Sequence, residues 1–305
     1  MADFHDLLNR TSRTFGLAIP LLHEPCRRDL TLAYLLFRVA DTLEDADRLP
    51  SVERAAALSE FCQLLQQPDI GRAGEVTRQW IAKSPSNNSN YMDLLCEFPA
   101  LLEEIRRLDT PATEIILRHA CRTATRMASF VQRTTWDGHL NLMTFADLRL
   151  YCYAVAGIVG EMITELFLAR ADQLKPFASR LQAHAAGFGQ GLQLVNILKD
   201  ADNDARQGRV YLPNTVPRAQ VFETARTDLD HAEQYVSALR ASRVGRGMVP
   251  FTELPILLAR RTLERIEQRG SGEKLTRTEV KEILSKVDPA GQSLEQLPAS
   301  FVAPP

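Results

Sequence analysis

The sequence predicts an all-α fold, because apolar side chains recur at helical spacing along almost its whole length. No convincing alternating strand pattern and no internal repeat interrupts this spacing. A hydrophobic content of 45% is enough to bury a sizeable core. The pattern is clearest between residues 144 and 168, where one helical face carries Leu148, Tyr151, Val155, Ile158, Val159, Met162 and Leu166.

Breaker residues divide this pattern into successive helices. Thr144 followed by Asp147 resembles a capping box with Asp in place of Glu. One all-helical domain is expected over residues 1–288, followed by a disordered tail at 289–305 that is rich in Pro, Ser and Gln. In chain order, we expect helices near residues 2–17, 24–46, 51–66, 72–83, 91–106, 111–133, 144–170, 174–206, 218–242, 251–269 and 276–286.

Two pairs of aspartates are the most informative feature of the predicted helices. Asp41 and Asp45 are four residues apart, and so are Asp200 and Asp204, so each pair projects from one helical face. Two carboxylates on one face repel each other, which costs stability unless a cation lies between them. Two such rows facing each other would make an acidic cleft suited to several Mg²⁺ ions, since Mg²⁺ favours one or two carboxylates, water and phosphate oxygens.

Each pair belongs to a longer polar row within an apolar helix. Buried polar rows need partners or a ligand. The alternative, a solvated acidic face, explains one pair alone better than it explains both together. The two rows therefore predict a Mg²⁺-diphosphate site. They consist of Tyr34, Arg38, Asp41 and Asp45 in the first helix, and of Gln193, Asn196, Asp200 and Asp204 in the second.

The composition excludes several other classes of protein. A formal net charge of −2 argues against a general nucleic-acid binder. The five cysteines are widely spread and are expected to be reduced core residues without a disulfide framework. The six histidines show no metal-ligand spacing and receive no role.

The sequence also gives no reason to expect a targeting signal or a membrane span. The first residues lack a basic region followed by an apolar run, so no signal peptide is expected. No run approaches the roughly 18 apolar residues of a membrane span. A cytoplasmic location is therefore expected, and the sequence does not indicate an oligomeric state.

Four segments make the chain resemble a known family, the squalene/phytoene synthases, which are head-to-head prenyl transferases. The segments are residues 12–15, 34–45, 151–161 and 193–213, in the family's order and spacing, and the resemblance covers roughly residues 10–270. It implies an isoprenoid synthase-type helical bundle with a central active-site cavity. Residues 41–45 look more like the squalene synthase branch, whereas Tyr211-Leu212-Pro213 looks like the bacterial carotenoid and hopanoid branch.

The chain departs from the family's pattern at two positions. Lys199 stands where the family often has Arg, which keeps the charge but loses the bidentate fork. Asn203 stands where an acidic residue is common, which removes an outer carboxylate. The family's eukaryotic squalene synthases end in a membrane anchor, which the sequence at 298–305 does not resemble.

The resemblance also implies roles for individual residues. Guanidinium groups match phosphate oxygens bidentately, and an aromatic face stabilises a carbocation. The expected Mg²⁺ ligands are Asp41, Asp45, Asp200 and Asp204, with Asn196 as a neutral ligand or support. The diphosphate is expected to contact Arg13, Arg38, Arg209 and Lys199, with Ser12 and Gln193 also in the substrate site. Tyr151, and with less force Tyr34, would stabilise the cation, and Phe15, Val155 and Gly157 would shape the prenyl channel.

The function that follows is a Mg²⁺-dependent 1′–1 condensation of two farnesyl diphosphates to presqualene diphosphate, squalene or both. A phytoene or dehydrosqualene synthase, which omits the hydride step, is the alternative. Two rival interpretations are less favoured. Terpene cyclases and head-to-tail transferases lack the Tyr-Cys-x-x-Val-Ala-Gly segment that this chain has, and non-catalytic assembly members of the family usually lose the aspartates, all four of which are present here.

Two further expectations concern cofactors and partners. NADPH remains a possible hydride donor, because squalene synthases use it without a dinucleotide fingerprint. The glycine-rich segment 187–191 has no preceding strand, so it is expected to let helices approach closely or to leave room for a prenyl tail. Peripheral contact with a membrane is expected when the apolar product is released.

Overall fold

The structure is a computed structural model and describes residues 3–12, 14–46, 48–133, 140–245 and 247–288. Within these ranges no β-strand forms, and an isolated bridge pairs Asn141 with Val210. Short 3₁₀ segments occupy Ile19–Leu21 and Asp172–Phe177. The α-helices are α1 Phe4–Thr11, α2 Thr14–Ala18, α3 Cys26–Glu44, α4 Ser51–Gln66, α5 Ile70–Ala82, α6 Ser89–Cys96, α7 Phe98–Arg106, α8 Thr110–Val131, α9 Phe145–Cys152, α10 Ile158–Arg170, α11 Ala178–Arg206, α12 Arg218–Ala241, α13 Met248–Arg269 and α14 Arg277–Val287.

The all-α prediction is confirmed, and most helix boundaries fall within a few residues of those expected. Two of the expected helices are instead divided. The segment 2–17 stops after Thr11 and restarts as α2. The segment 91–106 divides at Glu97, because Pro99 lies in the first turn of α7, where its missing N–H is tolerated. The tail at 289–305 lies outside the described residues.

The chain forms two compact units. The first contains Met1–Ser12 and Arg28–Leu140, and the second contains Arg13–Arg27 and Asn141–Pro305. The expectation of one domain over residues 1–288 stays a prediction.

The core of the first unit forms where α4 packs on α8 and α5 packs on α7. Aromatic rings fill it: the ring of Phe98 lies 5.5 Å from that of Phe61 and 5.6 Å from that of Trp80. The indole N–H of Trp80 donates to Glu60 at 3.0 Å, so its polar atom is satisfied inside an apolar cluster.

The prediction that all five cysteines are reduced is wrong for one pair. Cys62 on α4 and Cys121 on α8 form a disulfide, with Cα atoms 4.9 Å apart. The two cysteines are separated by 59 positions in the sequence and gave no local signal, because only the packing of α4 on α8 brings them together. Cys26 and Cys152 are buried and lie outside the disulfide, as predicted, whereas Cys96 is exposed.

In the second unit, α11 packs against α10, α12 and α13. Two glycines allow the backbones to approach closely. A Cβ added at Gly189 would lie 1.9 Å from the carbonyl oxygen of Ala156, and one at Gly160 would lie 2.0 Å from that of Ala185. The expectation that the glycine-rich segment lets helices approach closely is therefore confirmed.

The helical segment Phe145–Arg170 contains a π-helical turn at Tyr153–Gly157. Its predicted capping box forms: the Thr144 hydroxyl accepts from the N–H of Asp147 at 3.1 Å, and the N–H of Thr144 donates to the Asp147 carboxylate at 3.1 Å. A π-turn widens the helix by one residue and is common at functional sites.

The same segment is long and apolar enough to cross a membrane, judged by length and composition alone. The expectation that no segment would approach these two criteria is therefore wrong. Within the protein, 56% of its most apolar 18-residue window is buried. Because core helices of soluble proteins meet the same criteria, this is weak evidence for a membrane span.

Replacing Gly189 with Ala tests the close packing of α11. The added methyl group collides with a backbone carbonyl that cannot rotate away, so we expect a loss of about 1–3 kcal/mol or more in the free energy of unfolding. Gly74→Ala on α5 is the control, because its nearest neighbour is the flexible end of Arg78 at 3.9 Å. Because alanine is favoured over glycine inside a helix by up to about 1 kcal/mol, Gly74→Ala should not lose stability. Denaturant unfolding measures both, and equal stability of the two variants would contradict the account.

Candidate functional site

The first polar row lies on α3, in the first unit. Arg38 lies between two members of this row. Its guanidinium is 3.0 Å from the carboxylate of Asp41 and donates to the hydroxyl of Tyr34 at 2.8 Å. The Tyr34 hydroxyl donates in turn to the carbonyl of Thr11 at 3.1 Å. Three of the four side chains predicted to share a face, Tyr34, Arg38 and Asp41, are therefore linked by polar contacts.

Aromatic rings surround the cation of Arg38. Its guanidinium carbon lies 5.4 Å from the ring centre of Tyr34 and 5.8 Å from that of Tyr91. Burial disfavours its charge, but Tyr34 and Asp41 more than compensate, so the pKa of Arg38 lies above its ordinary value. Its Nε is buried and has no hydrogen-bond partner among the described residues. This donor suits a phosphate oxygen.

The charge of Asp41 is held in an unfavourable environment. Burial raises its pKa to about 6; Asp45 raises it as well, while Arg38 opposes the shift. Asp45 is exposed just beyond the end of α3, and its N–H donates to the carbonyl of Asp41 at 2.8 Å. An additional cation at this row would stabilise the ionised carboxylate of Asp41.

The second polar row lies on α11, in the second unit. Lys199, beside the row, approaches two of its members. Its ammonium is 3.2 Å from the carboxylate of Asp200 and donates to the side-chain carbonyl of Asn196 at 3.4 Å. Asn196 is exposed, and Gln193 and Asp200 are half-buried. A basic side chain therefore supplies the positive charge that this part of the row requires.

The turn after α11 brings a second basic residue back to the row. Gly208 adopts φ +79°, and the N–H of Arg209 reaches back to the carbonyl of Asp204 at 2.8 Å. The N–H of Gly208 reaches the carbonyl of Ala205 at 3.0 Å, which completes a Schellman motif. This turn leaves the guanidinium of Arg209 3.8 Å from the carboxylate of Asp204. A left-handed glycine thus sets the position of a predicted diphosphate ligand.

Tyr151 on α9 faces a second tyrosine. Tyr151 is 4% exposed, and its ring centre is 5.0 Å from that of Tyr211, with the two hydroxyls 3.5 Å apart. The neighbouring backbone is held in place because the N–H of Leu142 donates to the carbonyl of Val210 at 2.9 Å. Tyr211 received no role from the sequence, although it lies inside the Tyr-Leu-Pro segment.

Polar contacts fix the helix that carries Tyr151. The guanidinium of Arg149 donates to the buried carboxylate of Asp228 on α12, through one nitrogen at 3.2 Å. The amide of Gln190 on α11 donates to the carbonyl of Arg149 at 3.3 Å. A buried carboxylate needs such a partner, so α9 is tied to both α11 and α12.

The remaining predicted residues are spread over both units. Ser12 is buried where α1 ends, in the first unit. In the second unit, the ring of Phe15 lies 6.2 Å from that of Phe251, and Val155 is half-buried on the π-turn beside buried Gly157. Arg13 lies outside the described residues.

The donor chemistry of both rows fits Mg²⁺. Among the described residues, no three His, Cys, Asp or Glu side chains gather into a metal-binding group. Mg²⁺ does not require one, because it is commonly held by one or two carboxylates together with water and substrate phosphates. The assignment of Asp41, Asp45, Asn196, Asp200 and Asp204 to Mg²⁺ stays a prediction.

Comparison with solved structures defines the fold. The chain is similar to a structure of TcSQS with the ligand BPH1237, with a TM-score of 0.73 and 23% identity over 96% of this chain and 88% of that one. It is also similar to a dehydrosqualene synthase in complex with a ligand, with a TM-score of 0.60 and 19% identity over 95% of both chains. The fold is the all-α isoprenoid synthase fold.

Comparison of sequences defines the family. The family model for squalene/phytoene synthase matches residues 8–221, and the chain belongs to this family. A squalene synthase from Candida albicans is 30% identical over 212 residues, which are 70% of this chain and 45% of the yeast protein. The matched region thus spans less than half the length of that relative.

Asp41→Asn tests the electrostatics of the first row in metal-free buffer. Because the folded protein raises the pKa of Asp41, it binds more protons than the unfolded chain, so this group lowers stability as pH rises from about 4 to about 6. Asparagine mimics the protonated form. We therefore expect Asp41→Asn to raise Tm at pH 8, with the gain vanishing towards pH 4.

Asp172→Asn is the matched control, because the hydrogen bond from Lys175 lowers the pKa of Asp172. A lowered carboxyl pKa contributes stability above its unfolded pKa, so this variant should gain nothing at pH 8. Thermal unfolding from pH 4 to pH 8 measures both. A lower Tm for Asp41→Asn than for the wild type at pH 8 would show that the carboxylate is stabilising there.

Proposed function

We propose that the protein is a Mg²⁺-dependent prenyl transferase that joins two farnesyl diphosphates 1′–1 to give presqualene diphosphate, squalene or both. The observation that carries this proposal is the match of residues 8–221 to the squalene/phytoene synthase family, with both aspartate rows present in the matched region. The Candida relative, named a squalene synthase, supports the squalene ending.

In each unit, basic side chains beside the aspartate row give that row its proposed affinity for diphosphate. Arg38, Lys199 and Arg209 each lie within 3.8 Å of a carboxylate of their own unit. When substrate binds, each can turn towards phosphate oxygens while its carboxylate faces Mg²⁺. Mg²⁺, when bound, supplies a Lewis acid that neutralises charge on the diphosphate leaving group.

The proposed reaction begins with ionisation of one substrate. The C1–O bond breaks, diphosphate leaves with the electron pair, and an allylic cation remains. The double bond of the second farnesyl diphosphate attacks this cation, and loss of a proton closes the cyclopropane of presqualene diphosphate. The neighbouring rings of Tyr151 and Tyr211, tilted by 32° to each other, offer π-faces to the cation, and their hydroxyls, 3.5 Å apart, can pass on a proton.

One observation favours a different ending. The Tyr211-Leu212-Pro213 segment resembles the carotenoid and hopanoid branch, in which a phytoene or dehydrosqualene synthase omits the hydride step. Farnesyl and geranylgeranyl diphosphates, offered together with Mg²⁺ and with or without NADPH, distinguish these endings by product analysis. Presqualene diphosphate or squalene from farnesyl diphosphate supports the proposal. Phytoene from geranylgeranyl diphosphate, or no condensation at all, would overturn it.

Asp200→Asn should lower kcat/KM for farnesyl diphosphate by about a hundredfold or more, because it removes charge where the leaving group is stabilised. Asp202→Asn is the matched control: Asp202 lies on the same helix, is exposed, and bonds to Ser271 away from the row. Steady-state assays at saturating Mg²⁺ compare the two. Similar rates for both variants would remove Asp200 from the proposed site.

Tyr151→Phe keeps the aromatic face and removes the hydroxyl, so we expect substrate binding to persist while later steps slow. Tyr151→Ala should be worse, because it loses the π-face and opens a cavity at a buried position. Single-turnover assays that follow both presqualene diphosphate and final product measure this. An unchanged rate and product ratio for Tyr151→Phe would exclude the proton-relay role.

A further inference from the structure

Two histidines that are far apart in sequence meet on the surface of the second unit. His184 lies on α11 and His231 on α12, 47 residues apart. Their Nδ1 atoms are 2.9 Å apart, and their ring centres are 5.1 Å apart. His184 is half-buried and His231 is exposed. The sequence pattern did not join them, because only the packing of α11 on α12 does so.

The backbone makes room for this pair. Gly187 faces His231, and a Cβ added at Gly187 would lie 2.8 Å from the Cβ of His231. Any larger residue at this position would displace His231 from α11. The two imidazoles are therefore held together by the close approach of two helices, as well as by their own contact.

The separation of the two nitrogens suits a shared metal ion. Zn²⁺ binds imidazole nitrogen at about 2.0–2.1 Å, so two nitrogens on one ion are about 2.9 Å apart at a right angle and about 3.4 Å apart in a tetrahedron. Imidazole is a preferred ligand of Zn²⁺, Cu²⁺ and Ni²⁺, and a poor one for Mg²⁺. Without a metal, the same distance fits a hydrogen bond in which one Nδ1–H donates to the other Nδ1.

The surroundings keep His184 able to bind a metal. Burial lowers the pKa of His184, and His231 and Arg180 lower it further, which favours the neutral imidazole that a metal ligand must be. Arg180 lies one turn away on α11, and its guanidinium donates to the neutral side chain of Gln234 on α12 at 3.1 Å. Its positive charge also opposes a bound cation and limits the affinity.

We propose that His184 and His231 chelate a divalent transition metal ion of the Zn²⁺, Cu²⁺ or Ni²⁺ class, which clips α11 to α12. Water would complete the coordination, since no third His, Cys, Asp or Glu among the described residues joins the pair. This site is separate in residues and in chemistry from the carboxylate rows proposed for Mg²⁺. The clip would stabilise α11, the helix that carries Asp200 and Asp204.

The test uses the untagged, full-length protein after removal of metals. At pH 7.5, ZnCl₂ or NiCl₂ should raise the Tm of the wild type by about 2–4 °C, whereas any effect of MgCl₂ on Tm should be the same in the wild type and in both histidine variants. His184→Gln and His231→Gln should each abolish the rise. His23→Gln, which changes an exposed histidine elsewhere, is the control and should retain it. Circular dichroism without metal confirms that each variant is folded.

Two further readouts identify the ligands and the charge effect. Electron paramagnetic resonance of the Cu²⁺-loaded protein should show two nitrogen ligands in the wild type and fewer in either histidine variant. Arg180→Gln should bind Ni²⁺ severalfold more tightly in calorimetry, because a positive neighbour is removed. An equal metal response in the wild type and both histidine variants would overturn the proposal and leave a hydrogen-bonded pair only.

Discussion

In each unit, the aspartate row depends on one interaction, the pairing of a half-buried carboxylate with a basic side chain of the same unit. Arg38 pairs with Asp41, Lys199 with Asp200, and Arg209 with Asp204. Burial penalises unpaired charge, so these pairs allow acidic rows on largely apolar helices. The same bases are the groups that would bind diphosphate. One set of pairs therefore reduces the cost of burying the carboxylates in the free protein and supplies the bases that would bind substrate.

Backbone geometry places these pairs. Gly189 lets α11 lie against the carbonyl of Ala156, which fixes the helix of the second row against the π-turn after Tyr151. Gly208 closes the Schellman motif that returns Arg209 to Asp204. Both positions favour glycine. The close approach of α11 to the carbonyl of Ala156 excludes a Cβ at Gly189, and the left-handed turn disfavours one at Gly208.

The features that the sequence predicted are local ones. Helical periodicity gave the all-α fold and the two polar rows, because residues three and four apart share a face. The missed features join distant residues: the disulfide across 59 residues, the ring of Tyr91 over Arg38, and the contact of His184 with His231. The division of the expected helix at Glu97 was also missed, although Pro99 was visible in the sequence.

Thermal unfolding with Mg²⁺ and inorganic pyrophosphate, added separately and together, tests the central claim most directly. When ligands bind, each carboxylate gives up its basic partner for Mg²⁺, and each basic side chain gives up its carboxylate for a phosphate oxygen. This change of partners needs both the cation and the anion. The account therefore predicts a rise in Tm with both ligands that clearly exceeds the sum of the separate rises. In Asp200→Asn this excess should be lost. Additive rises in the wild type, or an undiminished excess in Asp200→Asn, would contradict the account.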